Sequence, residues 1–546
     1  MKSLLTARAL TLLVSVLLTG VLIPLTAYSL RRFHSRARDR SVWFLSLRIA
    51  AVLTVSFMIY QHVSQAPTNL NSDHRLAPSA AWLHGYSVYY PPEQGPALST
   101  IYGPTTVWTY MPAAKFLNTP SNAVRAGVAI NLLMYLLPGI LLLWVTSRMS
   151  QSANWMECAL VFFVLTTFND TLNTASEILH ADAPALGWGA VSCVMLFLCV
   201  HTGRRWYLVA AGFAVALSIL AKQVMLPVLP LLGVYVLIVC GWRLFALYAV
   251  SAIGFTLALL EIAAASMGGW PALIYNILYI PTHQPFRREQ VIPAVMLLAN
   301  ESAAFLIAAL AAVTLHLMNS RKWSAKELLG RNPSLLLLGA GLALCTTSIL
   351  GKIKVVGSIN TLCPAVYFFL LAAVVELQRI RVPAIDSRRV ASMRHAVVTG
   401  TLVVFVAVQL PIALYNFTVP AQQDEMALVY EFSRKHAGEI YFPQFPLSVL
   451  LGENHLYHFA WGLSDRAEAG KPVSGPYFHR HIPPHATVAA MADWVWSDEI
   501  FKYLGKEVER PDLSGLPGFK FYEIRDLPSP PLSKGELTSV GPGEIE

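Results

Sequence analysis

The chain has 546 residues, of which 13% are charged, about half the share in a typical soluble domain, and 55% are apolar. The mean hydropathy of +0.52 excludes an ordinary soluble protein and predicts that most of the chain lies in a lipid bilayer. The net charge of +9 is carried mainly by short loops between apolar runs, which indicates membrane topology rather than nucleic-acid binding.

Twelve apolar runs are long enough, or nearly so, to cross about 30 Å of hydrocarbon. They cover residues 4–30, 42–63, 127–146, 155–170, 183–201, 206–221, 224–241, 244–265, 296–318, 333–350, 359–377 and 396–417. An arginine cluster follows the first run instead of preceding it, so we expect a retained span and not a cleaved signal peptide. The pattern predicts a mainly α, polytopic membrane protein.

Lysine and arginine are unequally distributed between the two sets of loops. One set holds 18 of them in 59 residues, whereas the other set holds eight in about 116 residues before residue 418. The positive-inside rule assigns the richer set to the cytoplasm. We therefore expect a multi-pass protein of the bacterial inner membrane, with the long loop after the second span and everything after residue 419 on the extracytoplasmic side.

The composition changes at the end of the last apolar run. Residues 1–419 form the predicted membrane module, and residues 420–527 mix charges with short strand-like and helix-like stretches. "EIYFPQFPL" and "GFKFYEIRDL" are typical of strands, while "DEMALVYEFSRKHAG" and "VAAMADWVWSDEIFKYLG" favour helices. We expect a small extracytoplasmic α/β domain, followed by a disordered tail over 528–546 that is rich in proline, glycine and serine.

The first long external loop places an acid and several aromatic rings beyond a span. In "NSDHRLAPSAAWLHGYSVYY", Asp73 and His74 precede a stretch, 75–90, with the length and composition of a helix lying flat on the membrane. A single carboxylate at a span's end can also simply be solvated at the interface. Trp82 and Tyr89 can likewise serve as membrane anchors, so both alternatives stay open for each residue taken alone.

The second external loop, "NDTLNTASEILHADAPAL", contains Glu177, His180 and Asp182. Carboxylates and imidazole suit a divalent metal such as Mn²⁺, Mg²⁺ or Zn²⁺. A motif this short fits acceptor positioning or a purely structural role as well. Such a metal is the one cofactor that the sequence suggests.

Several cations fall on the same external side, against the charge bias. They are Lys222, Arg287, Arg288, Lys352 and Lys354, and His283 lies in the loop that contains the two arginines. Snorkelling to the interface is the alternative for Lys352 and Lys354. Because acid-bearing and basic loops meet on one face, we expect a polar site there.

The order of these segments resembles the GT-C class of integral membrane glycosyltransferases, in particular mannosyltransferase-like members. The resemblance rests on "NSDHRLAPSAAWLHGYSVYY", "IYGPTTVWTYMPAAKFL", "LHADAPALGW", "AKQVMLPVLP" and "KVVGSINTLCPAVYF", which together span most of residues 65–378. Two features depart from the family pattern. His74 stands where members commonly have a second acid, and the first acidic loop follows the second predicted span instead of the first.

The resemblance implies transfer of a sugar from a polyprenyl-phosphate donor to a hydroxyl of a lipid, glycan or protein acceptor, with inversion. Asp73 matches the family's general base. The leaving polyprenyl phosphate is anionic and needs positive charge, which the five external cations would supply. Glu177, His180 and Asp182 would bind acceptor or metal. The residues expected to touch substrate are His74, Trp82, Tyr89 and His283.

A twelve-helix solute transporter is the alternative from another class. Transporters commonly hold their ionisable groups within spans near the bilayer midplane. In this chain Glu261 and Glu376 lie near span ends, and most acids lie outside the spans. The distribution of acids therefore favours the enzyme, with membrane lipids and a lipid-linked donor as its partners and no nucleic acid.

Overall fold

The computed structural model describes residues 37–64, 70–116, 119–150, 155–318, 324–355, 357–379, 387–418, 423–492, 498–510, 513 and 515–525. The expected first span at 4–30 and the tail at 528–546 lie outside the described residues. Most of the described residues are helical, so the prediction of a mainly α chain is confirmed.

Helices α1 to α17 form the membrane part. In chain order they are α1 (Ala37–Ser64), α2 (Leu70–Leu83), α3 (Pro104–Phe116), α4 (Pro120–Ser150), α5 (Trp155–Phe168), α6 (Asp170–Glu177), α7 (Asp182–Thr202), α8 (Trp206–Ala221), α9 (Val228–Cys240), α10 (Trp242–Met267), α11 (Gly269–Ile274), α12 (Ile280–His283), α13 (Val291–Met318), α14 (Ala325–Arg331), α15 (Pro333–Lys352), α16 (Cys363–Arg379) and α17 (Ser387–Thr418). Within the described residues, nine segments are long and apolar enough to cross a bilayer, and α5 and α8 are shorter apolar helices. These eleven coincide with the second to twelfth predicted spans, which confirms a polytopic membrane protein.

The helices differ in how much of their surface other helices cover. Most of α7 and α16 is buried, 72% and 78% of their apolar windows, whereas only 11% of α10 and 22% of α13 is buried. Leucine, isoleucine and valine side chains cover the exposed faces of α10 and α13, as lipid contact requires. Helices α7 and α16 therefore form the centre of the bundle, and α10 and α13 form its lipid-facing rim.

The helix after the first described span is enclosed by protein. Ala77, Ala80 and Ala81 on α2 have 1% or less of their surface exposed, and α2 packs against α3 and α4. The flat surface helix expected over 75–90 is therefore wrong in extent and exposure, since α2 ends at Leu83 and the chain to residue 103 has no regular helix. Small alanines allow the close packing that buries α2.

The C-terminal residues form a small mixed domain. Its elements are α18 (Glu425–Lys435), β1 (Ile440–Tyr441), α19 (Pro446–Glu453), α20 (Ala460–Glu468), α21 (Gly475–Arg480), β2 (Val488–Ala492), a 3₁₀ turn (Asp498–Lys502), β3 (Leu504–Val508) and β4 (Phe519–Ile524). The sheet order is β1-β2-β4-β3, with β1 parallel to β2 and the other pairs antiparallel.

The helix expected over 488–505 is wrong. All five residues of β2 are buried, and the strand pairs on both sides with β1 and β4. Burial on both faces removes the alternation that marks a half-buried strand, so "VAAMA" has no strand signature of its own. The sheet satisfies the backbone hydrogen bonds of this run and overrides its helical propensity.

Asp73 joins α2 to the C-terminal domain. Its Oδ1 accepts a hydrogen bond of 2.7 Å from the Leu447 amide, and its Oδ2 accepts from the Ser448 amide at 3.0 Å and from Ser448 Oγ at 2.5 Å. These donors form the first turn of α19, where a carboxylate is stabilised by the free amides and the helix dipole. The contact links residues 374 positions apart in the chain.

The segment 84–103 is covered by the same domain. The Ala97 amide donates to His458 Nδ1 at 2.8 Å, and the Phe459 amide donates to the Ala97 carbonyl at 2.9 Å. Gly462 on α20 lies so close that an added Cβ would be 2.4 Å from the Ala97 carbonyl oxygen. Only glycine at this position allows α20 to rest on the segment.

We expect Gly462→Ala to weaken the docking of the C-terminal domain by about 1–3 kcal/mol, because the methyl group meets backbone that cannot rotate away. The melting temperature of the purified protein and the rate of proteolysis within 84–103 measure the effect. Gly254→Ala is the matched control, since nothing lies within 4 Å of a Cβ at that position. Equal melting temperatures for the two variants would contradict the packing described.

Candidate functional site

An acid and a cation meet in the interior where two spans end. Asp182 is the first residue of α7, and Lys222 follows the last residue of α8 in an extended conformation. Lys222 Nζ lies 2.6 Å from Asp182 Oδ1, and the two residues are 4% and 0% exposed. Buried charges of opposite sign stabilise one another only when both keep good hydrogen-bond partners. Asp182 has such partners.

His180 and Asn360 complete the surroundings of this carboxylate. His180 Nδ1 lies 2.5 Å from Asp182 Oδ2, and Asn360 Nδ2 donates to the same oxygen at 2.8 Å. Burial lowers the pKa of His180 to about 4, although Asp182 opposes this effect. The imidazole is therefore neutral near pH 7, and a proton on Nδ1 directed at Asp182 leaves Nε2 as an acceptor. Nε2 lies 2.8 Å from the Tyr102 hydroxyl.

Arg75 lies on the other side of Tyr102. Its guanidinium is 5.2 Å from the centre of the Tyr102 ring and 5.6 Å from that of Trp461, while Lys222 Nζ is 5.9 Å from the Tyr102 ring. Arg75, Tyr102 and His180 line one crevice. Within the described part of the chain Arg75 forms no ion pair, so its charge is available to an anionic group.

Gly103 allows the close contact between α3 and α8 that positions Tyr102 beside Lys222. A Cβ at Gly103 would lie 2.0 Å from the Leu220 carbonyl oxygen, so the start of α3 touches the end of α8 directly. Thr106 Oγ1 donates to the Ala221 carbonyl at 3.1 Å across the same contact. The contact fixes Tyr102 beside Lys222, because each is adjacent to one of the touching residues.

Two of the predicted basic loops are joined by backbone hydrogen bonds. The Arg287 amide donates to the Ile353 carbonyl at 2.7 Å, and the Val355 amide donates to the Pro285 carbonyl at 3.2 Å. Phe286 and Lys354 form a β-bridge between these bonds. Two loops whose bridged residues, Phe286 and Lys354, are 68 positions apart in sequence thus form one surface.

We call Arg287, Arg288, Lys352 and Lys354 on this surface the cation cluster. Both arginines are exposed. Lys352 Nζ donates to the Gly357 carbonyl at 3.0 Å, and Lys354 Nζ donates to the Pro281 carbonyl. Burial lowers the pKa of Lys354. Among the residues that the structure describes, no acid lies within ion-pairing distance of the cluster, which leaves it suited to an anion.

Asp73 has no exposed surface in this conformation, and its carboxylate faces α19 instead of the crevice. Burial raises its pKa to about 7, although the three hydrogen bonds from Leu447 and Ser448 oppose the rise. Its neighbour Arg75, two positions along α2, faces the crevice in its place. The role of general base for Asp73 stays a prediction.

The four residues expected to touch substrate are differently placed. His74 is 2% exposed and lies against Phe459 and Trp461, with ring centres 5.0 and 4.0 Å away. Tyr89 is 1% exposed, and its hydroxyl donates to the Tyr102 carbonyl. Trp82 Nε1 donates to the Ser266 carbonyl at 3.0 Å. His283 is exposed and stacks on Tyr279 at 3.8 Å, near the cation cluster in sequence.

At the second acidic loop, the described residues provide few potential ligands for a metal ion. No group of three histidine, cysteine, aspartate or glutamate side chains within the described ranges could hold an ion. Glu177 ends α6, and its side chain lies outside the described part. Asp182 is hydrogen-bonded by Lys222, His180 and Asn360, and metal binding by Glu177, His180 and Asp182 stays a prediction.

The C-terminal domain contributes one more buried acid, which the sequence did not single out. Asp465 on α20 accepts hydrogen bonds from Ser99 Oγ at 3.1 Å and from Gln284 Nε2 at 3.2 Å. Burial raises its pKa to about 7. Nothing local distinguishes Asp465, because its partners come from two distant loops. Arg75 did carry a signal, since like Lys222 it is an external cation that defies the charge bias.

Comparisons with known proteins support the fold. No protein-family model matches the chain, and no curated protein sequence does. The crystal structure of ArnT from Cupriavidus metallidurans in the apo state is similar with a TM-score of 0.52 and 13% identity, over 86% of this chain and 97% of that one. The Archaeoglobus fulgidus oligosaccharyltransferase in the apo form gives a TM-score of 0.46 and 11% identity, over 90% and 75% of the two chains. The chain thus shares its fold with ArnT, a GT-C protein, as the sequence motifs led us to expect.

Proposed function

We propose that this protein transfers a sugar from a polyprenyl-phosphate donor to an acceptor hydroxyl on the extracytoplasmic face. One observation supports the proposal: the acid–imidazole–lysine centre at Asp182 and the cation cluster, which forms no ion pair within the described residues, both lie in loops at one end of the helix bundle. Asn360 connects them, because it bonds Asp182 and follows the loop that holds Lys352 and Lys354. Similarity to ArnT supports the fold on which such a site is built.

The cation cluster would bind the donor phosphate. Positive charge held in place before reaction stabilises negative charge that develops on the leaving group. The lipid-facing helices α10 and α13 lie on either side of its first loop in sequence, so the polyprenyl chain could remain in the bilayer. Arg75 would meet a second anionic oxygen in the crevice.

The transfer itself needs one proton acceptor. The base takes the proton of the acceptor hydroxyl, and the oxygen forms a bond to the anomeric carbon. The bond from that carbon to the phosphate oxygen breaks with its electron pair, and polyprenyl phosphate leaves. Attack opposite to the leaving group inverts the configuration.

Asp73 is the proposed base, and it can act only when α19 releases its carboxylate. His180 is the second candidate, because its neutral imidazole lines the crevice with Nε2 as an acceptor. The two differ in pH dependence. A base whose pKa is about 7 becomes more populated between pH 6 and pH 8, whereas one whose pKa is about 4 is fully populated across that range.

We expect sugar transfer to rise between pH 6 and pH 8, and Asp73→Asn to lower it about 10²- to 10⁴-fold, as loss of a general base commonly does. Transfer from a synthetic polyprenyl-phosphate sugar in proteoliposomes is the measurement. Ser448→Ala is the matched control, because it removes one donor to Asp73 and keeps the carboxylate. Undiminished transfer by Asp73→Asn would contradict the role of Asp73. Transfer that does not change between pH 6 and pH 8, and that is lost in His180→Ala, would assign the base to His180.

For the central ion pair we expect Lys222→Met alone to destabilise the protein by about 3–5 kcal/mol, because it leaves Asp182 charged and unpaired in the interior. The double variant with Asp182→Asn should recover much of the melting temperature and none of the transfer. Glu376 and Arg379, paired at 3.3 Å near the other end of α16, are the control pair. Recovery of transfer in the double variant would make the Asp182 pair purely structural.

We expect Arg287→Gln to lower kcat/KM for the donor about tenfold, through both KM and kcat, because it weakens donor binding and also the stabilisation of charge on the leaving phosphate. The loss should shrink at high salt, since exposed charges are screened. Lys326→Gln, an exposed cation on α14, is the control. Donor-independent solute uptake into sealed vesicles, with no sugar transfer by the unaltered protein, would favour a transporter.

A further inference from the structure

A second cavity, of about 450 Å³, lies away from the candidate site. Helices α1, α4, α5, α6 and α17 line it. Its lining residues include Gln61, His62, Thr166, Thr167, Asn173, Ser176, Gln409 and Asn416, together with apolar side chains such as Leu132, Phe163 and Ile412. The size is within the range of small-molecule sites in proteins, about 300–1,000 Å³.

Among the described residues, the polar lining carries hydroxyl, amide and imidazole groups and no carboxylate, ammonium or guanidinium. An anionic phosphate in this cavity would lack a countercharge, and a bare acyl chain would leave the polar groups without partners. The chemistry therefore fits an uncharged group rich in hydroxyls.

The side-chain amide of Gln409 is a specific hydrogen-bonding group in this cavity. It lies on α17 within the apolar stretch 398–416, and its side-chain amide forms no hydrogen bond inside the described part of the chain. Gln61, on the facing helix, instead donates to the Ala413 carbonyl. Because this amide lies at the cavity near the end of a span and is only partly exposed, its donors and its acceptor are available to an occupant of the cavity.

Two hydroxyls can add to that occupant's partners. Thr166 Oγ1 donates to the Phe162 carbonyl at 2.8 Å, and Thr167 Oγ1 donates to the Phe163 carbonyl at 3.0 Å. Each hydroxyl keeps lone pairs that can accept from a ligand. The cavity thus offers both acceptors and donors, which is the pattern that sugar hydroxyls require.

The position of the cavity matches the headgroup region of one leaflet. It lies near the C-terminal ends of α1 and α17, and the chain after α17 enters the C-terminal domain. Leu53 and Val404 on the same two helices are 63% and 42% exposed, which provides an apolar surface for lipid chains below the cavity.

We propose that this cavity binds the neutral, hydroxyl-rich headgroup of a glycolipid. Ser176 and Ile178 line it, and the Ser176 carbonyl accepts from Asn131 Nδ2 at 2.8 Å. The Tyr110 hydroxyl bridges Asn131 Oδ1 and the His180 carbonyl at 2.6 and 2.8 Å. The bound headgroup therefore lies directly behind the loop that carries His180. The bound glycolipid is either a structural lipid or, if the proposed function holds, the acceptor substrate before transfer.

The test uses the full chain in phosphatidylcholine nanodiscs and a glucosyl diacylglycerol with a photoreactive group on its sugar. We expect labelled peptides from α5 and α17, with competition by unlabelled glucosyl diacylglycerol and none by phosphatidylglycerol. Gln409→Leu should weaken labelling about tenfold, the effect of one lost buried hydrogen bond. Val404→Leu, on the lipid-facing surface of α17, is the matched control and should label normally.

Labelling confined to other helices, equal competition by phosphatidylglycerol, or unchanged labelling of Gln409→Leu would overturn the proposal. The assay contains no donor, so its failure leaves the proposed transfer untouched, and a failure of transfer leaves the binding result intact. Adding a polyprenyl-phosphate sugar separates the two sources. A bound glycolipid that gains a sugar is an acceptor, and one that does not is a resident lipid; both results support the headgroup site.

Discussion

The buried ion pair between Asp182 and Lys222 is the interaction on which the rest of the site depends. It ties the start of one span to the end of its neighbour, and it places two charges in the interior, with 4% and 0% of their residues' surface exposed. Such a pair is tolerated only when every remaining lone pair has a partner. His180 and Asn360 meet that requirement, and each comes from a different loop. The need to satisfy one carboxylate thus explains why three distant segments converge.

The C-terminal domain also contributes to the candidate site. It captures Asp73 through the first turn of α19, covers the segment 84–103 and supplies Asp465 to the face that also holds Arg75. An acid that heads α2 in sequence is therefore buried between two domains, while a cation two positions later faces the crevice. Chemistry at this face must involve movement of the C-terminal domain if Asp73 is to meet a substrate.

Hydropathy was sufficient to place the eleven spans that fall within the described residues, because lipid imposes a long apolar stretch on every helix that it surrounds. Charge bias gathered the polar loops on one side, and there the structure joins Asp182 to Lys222 and Arg287 to the loop of Lys352. The sequence could not show that Asp73 accepts hydrogen bonds from Leu447 and Ser448, because these residues lie 374 and 375 positions away and no local pattern marks them. Strand β2 was mistaken for part of a helix, because burial on both faces removes the alternation of polar and apolar residues by which strands are recognised.

The contact between Gly462 and Ala97 has a consequence for how the molecule is made. The segment around Ala97 leaves the ribosome some 360 residues before the glycine that covers it. During synthesis the crevice around Tyr102 is therefore open on the side that α20 later closes. A chain truncated before α20 retains helices α1 to α17 but lacks the helix that covers the segment around Ala97, so the pocket is closed only after α20 has been synthesised.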